Sequence, residues 1–180
     1  MTTDPLGISN YATHLPMLRF LLSLLRPARI LEFGVGHYST GLFRASPAHV
    51  CSVESNAEWA KQFVSSDPRH TVIHWPDEAV QDCLLDDSVG EVDLALVDGP
   101  VHSRVPCVER LFWKSRVIVI HDSLTRCYEW RTLHVPARMH RLDDTRLHPA
   151  TSVFAYLNQD VRSIGRYVRC TSLAARRRKE

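Results

Sequence analysis

The stretch RILEFGVGHYSTG, Arg29 to Gly41, decides how the rest of the chain is read. Its opening, Arg29 to Phe33, is a short apolar run that reads as a strand, and Gly34 and Gly36 then break it into a loop. Ser39 or Thr40 follows where a helix cap belongs. Strand, glycine loop and helix in that order open a nucleotide-binding unit, yet the third glycine of a dinucleotide fingerprint arrives two residues late, at Gly41. The acid Glu32 also stands just before the loop, where it is a poor neighbour for phosphates and a good one for an ammonium or sulfonium.

Outward from this motif the apolar spacing alternates between helix and strand. Upstream, Leu15, Leu18, Leu22 and Leu25 recur at helical spacing, with Pro16 in the first turn and Pro27 as the stop. Downstream, strands are read at His49–Ser55, His70–Trp75, Val92–Pro100 and Arg116–Ser123, and helices at Asn56–Ser66, Asp77–Asp87 and Val105–Ser115. Short strands joined by helices of about ten residues need crossover connections, which predicts an α/β, Rossmann-like, doubly wound and mostly parallel sheet. The segments WRTLHVP, TSVFAYL and VRSIGRYVRC read as two or three further strands, an antiparallel edge near the C-terminus. One domain over residues 1–172 and a basic tail over 173–180 are expected.

Composition agrees with one domain. The 180 residues are 44% hydrophobic and 23% charged, enough for one sizeable core, and a net charge of +2 gives little pull toward nucleic acid. Five cysteines without a CxxC pair point to a reducing, cytoplasmic compartment. The apolar run after Leu15 is broken by Arg19, Arg26 and Pro27, short of the ~20 residues of a membrane span, and no targeting pattern is visible.

In an open parallel sheet, ligands bind beyond the carboxyl ends of the strands. Each predicted strand end here carries an acid: Glu32, Glu54, Asp77, Asp98 and Asp122, the last beside His121. Glu54 follows Glu32 by roughly 20 residues, the gap at which an acid grips ribose hydroxyls, so a nucleoside-containing ligand is implied.

The pattern resembles the class I S-adenosylmethionine-dependent methyltransferases. Over roughly residues 12–124, LEFGVGHYST, ESNAEW, VDGP and HD are similar to the LExGxGxYST, ExxxxW, VDGP and HD signatures of a compact branch of them. The resemblance implies S-adenosylmethionine as cofactor. Gly34 and Gly36 would let the backbone approach its methionyl part, with Glu32 near the amino group, Glu54 on the ribose and Asp77 facing the adenine. Tyr38, Ser39, Thr40 and Asp98 would complete the cofactor site, and Trp59 is read as core, with cover for the adenine as its other role.

A sulfonium methyl group is already activated, so such an enzyme aligns a nucleophile and removes its proton. His121, Asp122 and His102 are the candidate catalytic residues, His121 first, and His14 and Arg104 are candidate substrate contacts, Arg104 for an anionic group. The expected reaction methylates a hydroxyl or amine of a small-molecule acceptor, in a pocket that is open or completed by the second subunit of a homodimer. Asp98 and Asp122 stand where catechol-type O-methyltransferases hold Mg²⁺, but Ser123 replaces their asparagine ligand, so a metal is not favoured. Two alternatives remain: an NAD-dependent oxidoreductase, opposed by the displaced glycine, and a nucleoside-binding partner subunit without catalysis, opposed by His121 and Asp122. Nucleic acid is disfavoured as substrate, because VDGPVH stands where adenine N-methyltransferases carry an Asp/Asn-Pro-Pro-aromatic motif.

Overall fold

A computed structural model describes residues 9–76, 82 and 90–177. The strands are β1 (Arg29–Phe33), β2 (His49–Glu54), β3 (His70–His74), β4 (Val92–Val97), β5 (Ser115–His121), β6 (His140–Asp144) and β7 (Thr151–Ala155). The helices are α1 (Leu15–Leu25), α2 (Ser39–Arg44), α3 (Ala57–Gln62), α4 (Arg104–Leu111) and α5 (Asn158–Arg177). The strands form one seven-stranded sheet in the order β3-β2-β1-β4-β5-β7-β6. β1 to β5 run parallel, and β7 is antiparallel to both β5 and β6, which is the expected mostly parallel sheet with an antiparallel edge.

Successive strand residues face opposite sides of a sheet, and here both sides are apolar. Leu31, Phe33, Val97 and Ile120 pack with Val108 and Leu111 of α4 on one side. Ile30, Leu96 and Val119 pack with Leu18 and Leu21 of α1 and Ile164 of α5 on the other. No helix among the described residues is long and apolar enough to cross a membrane.

The final third departs from expectation. VRSIGRYVRC is no strand but lies within α5, which continues to Arg177. Val161, Ile164 and Val168 recur at helical spacing there, and Ile164 is fully buried, a periodicity that Gly165 interrupts to the eye. The Arg116 guanidinium donates to both oxygens of Asp160 at 2.8 and 2.9 Å, and the Tyr167 ring stacks on Phe20 at 4.1 Å, so α5 is fastened to β5 and to α1. WRTLHVP forms a single 3-10 turn, Trp130–Thr132, and no strand. The outermost strand is instead HRLDD, whose exposed, charged residues suit an unprotected sheet edge and hide its strand character. α3 is shorter than read, ending at Gln62, and the helix read at Asp77–Asp87 lies outside the described residues except for Asp82.

β1 lies between β2 and β4, because the chain winds outward to β3 and then returns to the other side of β1. Such a reversal opens a crevice at the carboxyl ends. Gly34 sits at its apex with φ +85°, and a Cβ there would lie 2.4 Å from the Asp98 carbonyl oxygen. The backbone ladder continues on both flanks, with Gly34 N–H donating to Val53 O at 2.9 Å and Asp98 N–H to Phe33 O at 2.8 Å. Gly34→Ala combines a left-handed conformation with a backbone clash and is expected to cost about 3 kcal/mol of stability. Urea denaturation of the variant against the parent reads this loss.

Candidate active site

The loop after β1 is held by two acids. Glu54, at the end of β2, accepts from Val35 N–H at 3.1 Å through Oε2 and from Asn56 N–H at 2.8 Å through Oε1. Oε1 also accepts from the Ser55 hydroxyl at 3.4 Å; the residue is buried at 8% exposure, and Oε2 keeps a lone pair for a further donor. Trp59 donates its indole N–H to Val35 O at 2.8 Å, so the half-buried ring braces the same loop. The Asn56 side chain caps α3 by accepting from Trp59 N–H at 2.9 Å.

Glu32 has no exposure at all. Its Oε2 accepts from the hydroxyls of Thr40 at 2.9 Å and Ser52 at 2.6 Å, while Oε1 has no partner. Thr40 Oγ1 in turn accepts from Gly36 N–H at 3.0 Å. The acid therefore shapes the loop through Thr40 rather than reaching its surface. Burial pushes the Glu32 carboxyl up to about 7, against the downward pull of the Ser39, Ser52 and Thr40 hydroxyls. Behind it the Ser52 hydroxyl meets His70 Nε2 at 3.0 Å, and His70 Nδ1 accepts from Arg44 Nε at 2.7 Å. Ser39 and Thr40 do not cap α2; the capping position is Tyr38, which is exposed, and both hydroxyl residues are buried in the first turn. Gly36 differs from Gly34: the nearest atom to a Cβ built there is Ser39 Oγ at 3.8 Å, so the protein itself has room for a side chain.

A second polar cluster forms at the ends of β4 and β5. Arg104, 5% exposed, donates through Nε to Gly99 O at 2.7 Å, through one terminal nitrogen to His121 O at 2.9 Å, and through the other to Asp98 at 3.0 Å. The guanidinium also lies 4.0 Å from the Tyr128 ring centroid and 3.8 Å from an Asp122 oxygen. Its fork is committed to the protein, so it organises strand ends instead of standing free for a substrate anion. Burial raises the Asp98 carboxyl, but its contacts with His121 and Arg104 outweigh it and hold the group below its ordinary value.

His121 is buried at 3% exposure, with both ring nitrogens engaged. Nδ1 lies 3.2 Å from each Asp98 oxygen, and Nε2 lies 2.9 Å from Thr13 Oγ1. Asp122 has a left-handed φ of 57° and accepts from the Tyr128 hydroxyl at 3.2 Å, and its carboxylate lies 3.8 Å from His121 Nε2. His14, 1% exposed, meets the His121 ring edge-on at 4.5 Å between centroids. His102 is exposed on the 3-10 turn Val101–Ser103, and Asp77 lies outside the described residues.

Beyond β5 a cleft of about 710 Å³ opens, lined by Ser123, Arg126, Trp130, Arg131 and Arg141 among others. The sequence reading missed Ser52, His70, Thr13 and Tyr128. A serine in the buried part of β2 and an aromatic in the charged segment around Tyr128 are the signals that mark two of these; His70 and Thr13 carry none. Mg²⁺ held as in the catechol type does not fit, since Ser123, where that type carries an asparagine ligand, is buried with its hydroxyl donating to Ala150 O at 3.3 Å.

The strand order with its reversed β7, and a glycine loop at the switch point, define the fold of the class I methyltransferases. No family model and no curated protein matches the chain. Solved structures do. An O-methyltransferase from Bacillus cereus in complex with S-adenosylhomocysteine is 15% identical over 77% of this chain and 79% of that one, with a TM-score of 0.62. The O-methyltransferase TomG from Streptomyces achromogenes, in complex with S-adenosylmethionine, is 16% identical over 79% and 78%, with a TM-score of 0.59. A methyltransferase-like protein from Silicibacter pomeroyi is 18% identical over 83% and 93%, with a TM-score of 0.52.

Glu32 has a measurable signature. Unfolded, it releases its proton near 4.5, and folded near 7, so between these values the folded chain holds the extra proton and stability falls as pH rises. The stabilisation is whole below 4.5 and gone above 7, about 3 kcal/mol in all. Glu32→Gln should remove this slope, so that the stability difference between variant and parent shifts by roughly that amount in the variant's favour from pH 4.5 to pH 8. Chemical denaturation of both proteins across this range checks it.

Proposed function

We propose that the chain is an S-adenosylmethionine-dependent methyltransferase acting on a hydroxyl or amine of a small-molecule acceptor. The observation that carries the reading is the contrast between the two glycines. Gly34 is required by the protein's own backbone, whereas Gly36 has open space where a side chain would stand and faces no internal demand for glycine. A bare backbone at that point, beside Glu54 at the end of β2, suits the methionyl and ribose parts of one ligand. The fold shared with proteins crystallised with S-adenosylmethionine and S-adenosylhomocysteine supports the same ligand.

S-adenosylmethionine, when bound, supplies a methyl group on a sulfonium that is already activated for displacement. The chain's part is then to position and to handle a proton. Glu54 holds the ribose hydroxyls while its backbone contacts keep the loop in shape. His121 and Asp122 are the groups we assign to the acceptor's proton, with Asp122 the one that reaches the surface, at 18% side-chain exposure against 4% for His121. Tyr128 fixes the Asp122 carboxylate, and the cleft beyond Ser123, with Trp130 and its arginines, takes the acceptor. The described cysteines Cys51, Cys127 and Cys170 are free thiols, which suits a reducing, cytoplasmic setting.

Titration calorimetry with S-adenosylhomocysteine and with NAD tests the reading. Parent protein binds S-adenosylhomocysteine and not NAD; Gly36→Ala keeps its thermal stability and loses at least roughly tenfold in affinity; Glu54→Ala, losing two charge-assisted hydrogen bonds, falls by roughly 100-fold or more. Binding of NAD alone, or an unaltered affinity in Glu54→Ala, overturns it.

A further inference from the structure

Among the described residues, one trio of metal-capable side chains converges: His14, Asp98 and His121 each place a donor atom within 4.8 Å of the other two. We propose that these three residues hold a divalent transition metal of the borderline class, zinc first, at the carboxyl ends of β4 and β5. The inference rests on this geometry and does not depend on methyl transfer.

The tautomer of His121 points the same way. The Thr13 hydroxyl donates to Pro149 O at 2.9 Å, so at His121 Nε2, 2.9 Å away, it is left to accept. Nε2 therefore carries the proton, and in the neutral ring Nδ1 is a bare lone pair. That lone pair faces both oxygens of Asp98 at 3.2 Å, where two acceptors repel unless a cation or a second proton lies between them. Two ligands of a tetrahedral zinc ion stand roughly 3.4 Å apart, given bonds of about 2.1 Å, a spacing that Asp98 and His121 already have and that His14 reaches by closing in from within 4.8 Å.

His14 is the independent observation. It is 1% exposed, and neither Nδ1 nor Nε2 has a hydrogen-bond partner. A buried donor or acceptor left unpartnered costs about 1–3 kcal/mol, and a metal bond satisfies one of the pair. Two imidazoles and one carboxylate are a donor set for zinc, iron or nickel rather than for magnesium. Three protein ligands also leave a fourth position open, as in zinc sites that carry a water or substrate oxygen. The site differs in residues and in metal class from the Asp98 and Asp122 pair that a magnesium reading uses.

The test uses untagged protein stripped with a chelator and titrated with Co²⁺, then with Zn²⁺ and Mg²⁺ as competitors. The expected result is one Co²⁺ per chain with the visible bands of a low-coordinate nitrogen and oxygen site, displaced by Zn²⁺ and not by Mg²⁺. His14→Ala and His14→Gln should each lose at least roughly 100-fold in metal affinity, the cost of removing a ligand exceeding that of an outer-shell partner. Both should keep S-adenosylhomocysteine affinity within about twofold, since Glu54 and the Gly36 backbone, not His14, are assigned to that ligand; calorimetry on the same preparations reads methyl-donor binding separately. Absent Co²⁺ binding, binding that survives both His14 variants, displacement by Mg²⁺, or a His121 ring doubly protonated by NMR with and without Zn²⁺ overturns the proposal. The last result assigns the Asp98 contact to an imidazolium ion pair.

Discussion

The carboxyl edge of the sheet depends on how β1 and β4 part at Gly34. The Asp98 carbonyl stands where any side chain on residue 34 would stand, and the left-handed φ turns the chain sharply out of the sheet at that point. Because Gly34 and Asp98 still extend the backbone ladders of β2 and β1, the two loops separate only after the last possible pairing. The crevice is consequently narrow at its floor, with Glu54 on one bank and Asp98 on the other.

Each bank is fixed by a buried polar network, and the two networks treat their acids in opposite ways. Glu32 is surrounded by hydroxyls, which cannot offset the loss of solvent, so its carboxyl is pushed up. Asp98 is also buried, yet its contacts with His121 and the Arg104 guanidinium outweigh the same penalty and hold it below its ordinary value. Partners, more than depth, decide the charge. The outcome is a loop bank without a strong negative charge of its own beyond Glu54, facing a bank where charges are tightly paired. Arg104 is central to the second: three of its hydrogen bonds join the end of β4, the end of β5 and the turn between β4 and α4.

The first two thirds of the fold are legible in the sequence because buried parallel strands are apolar runs and the helices between them keep their own spacing. RILEF, VDLALV and RVIVIH are recognisable without neighbours. The last third is not, since HRLDD is a strand only by virtue of its pairing with β7, and Gly165 masks the helical stripe of Val161, Ile164 and Val168. The strand-end acids are likewise visible from spacing, but their roles are not. Nothing in the sequence tells that Glu32 would be sealed behind Thr40, that the Arg104 fork would close on backbone carbonyls, or that His14 would lie against His121. Such facts arise from contacts between residues far apart in the chain, for which a single sequence holds no local signal.

The central claim is that the loop between β1 and α2 receives the amino-acid half of a sulfonium nucleoside. A crystal structure with S-adenosylhomocysteine bound tests it most directly. The account predicts the ligand across the switch point, its ribose hydroxyls on the Glu54 carboxylate and its amino-acid part against the Gly36 backbone. A ligand seated elsewhere, or a ribose that leaves Glu54 untouched, would contradict it.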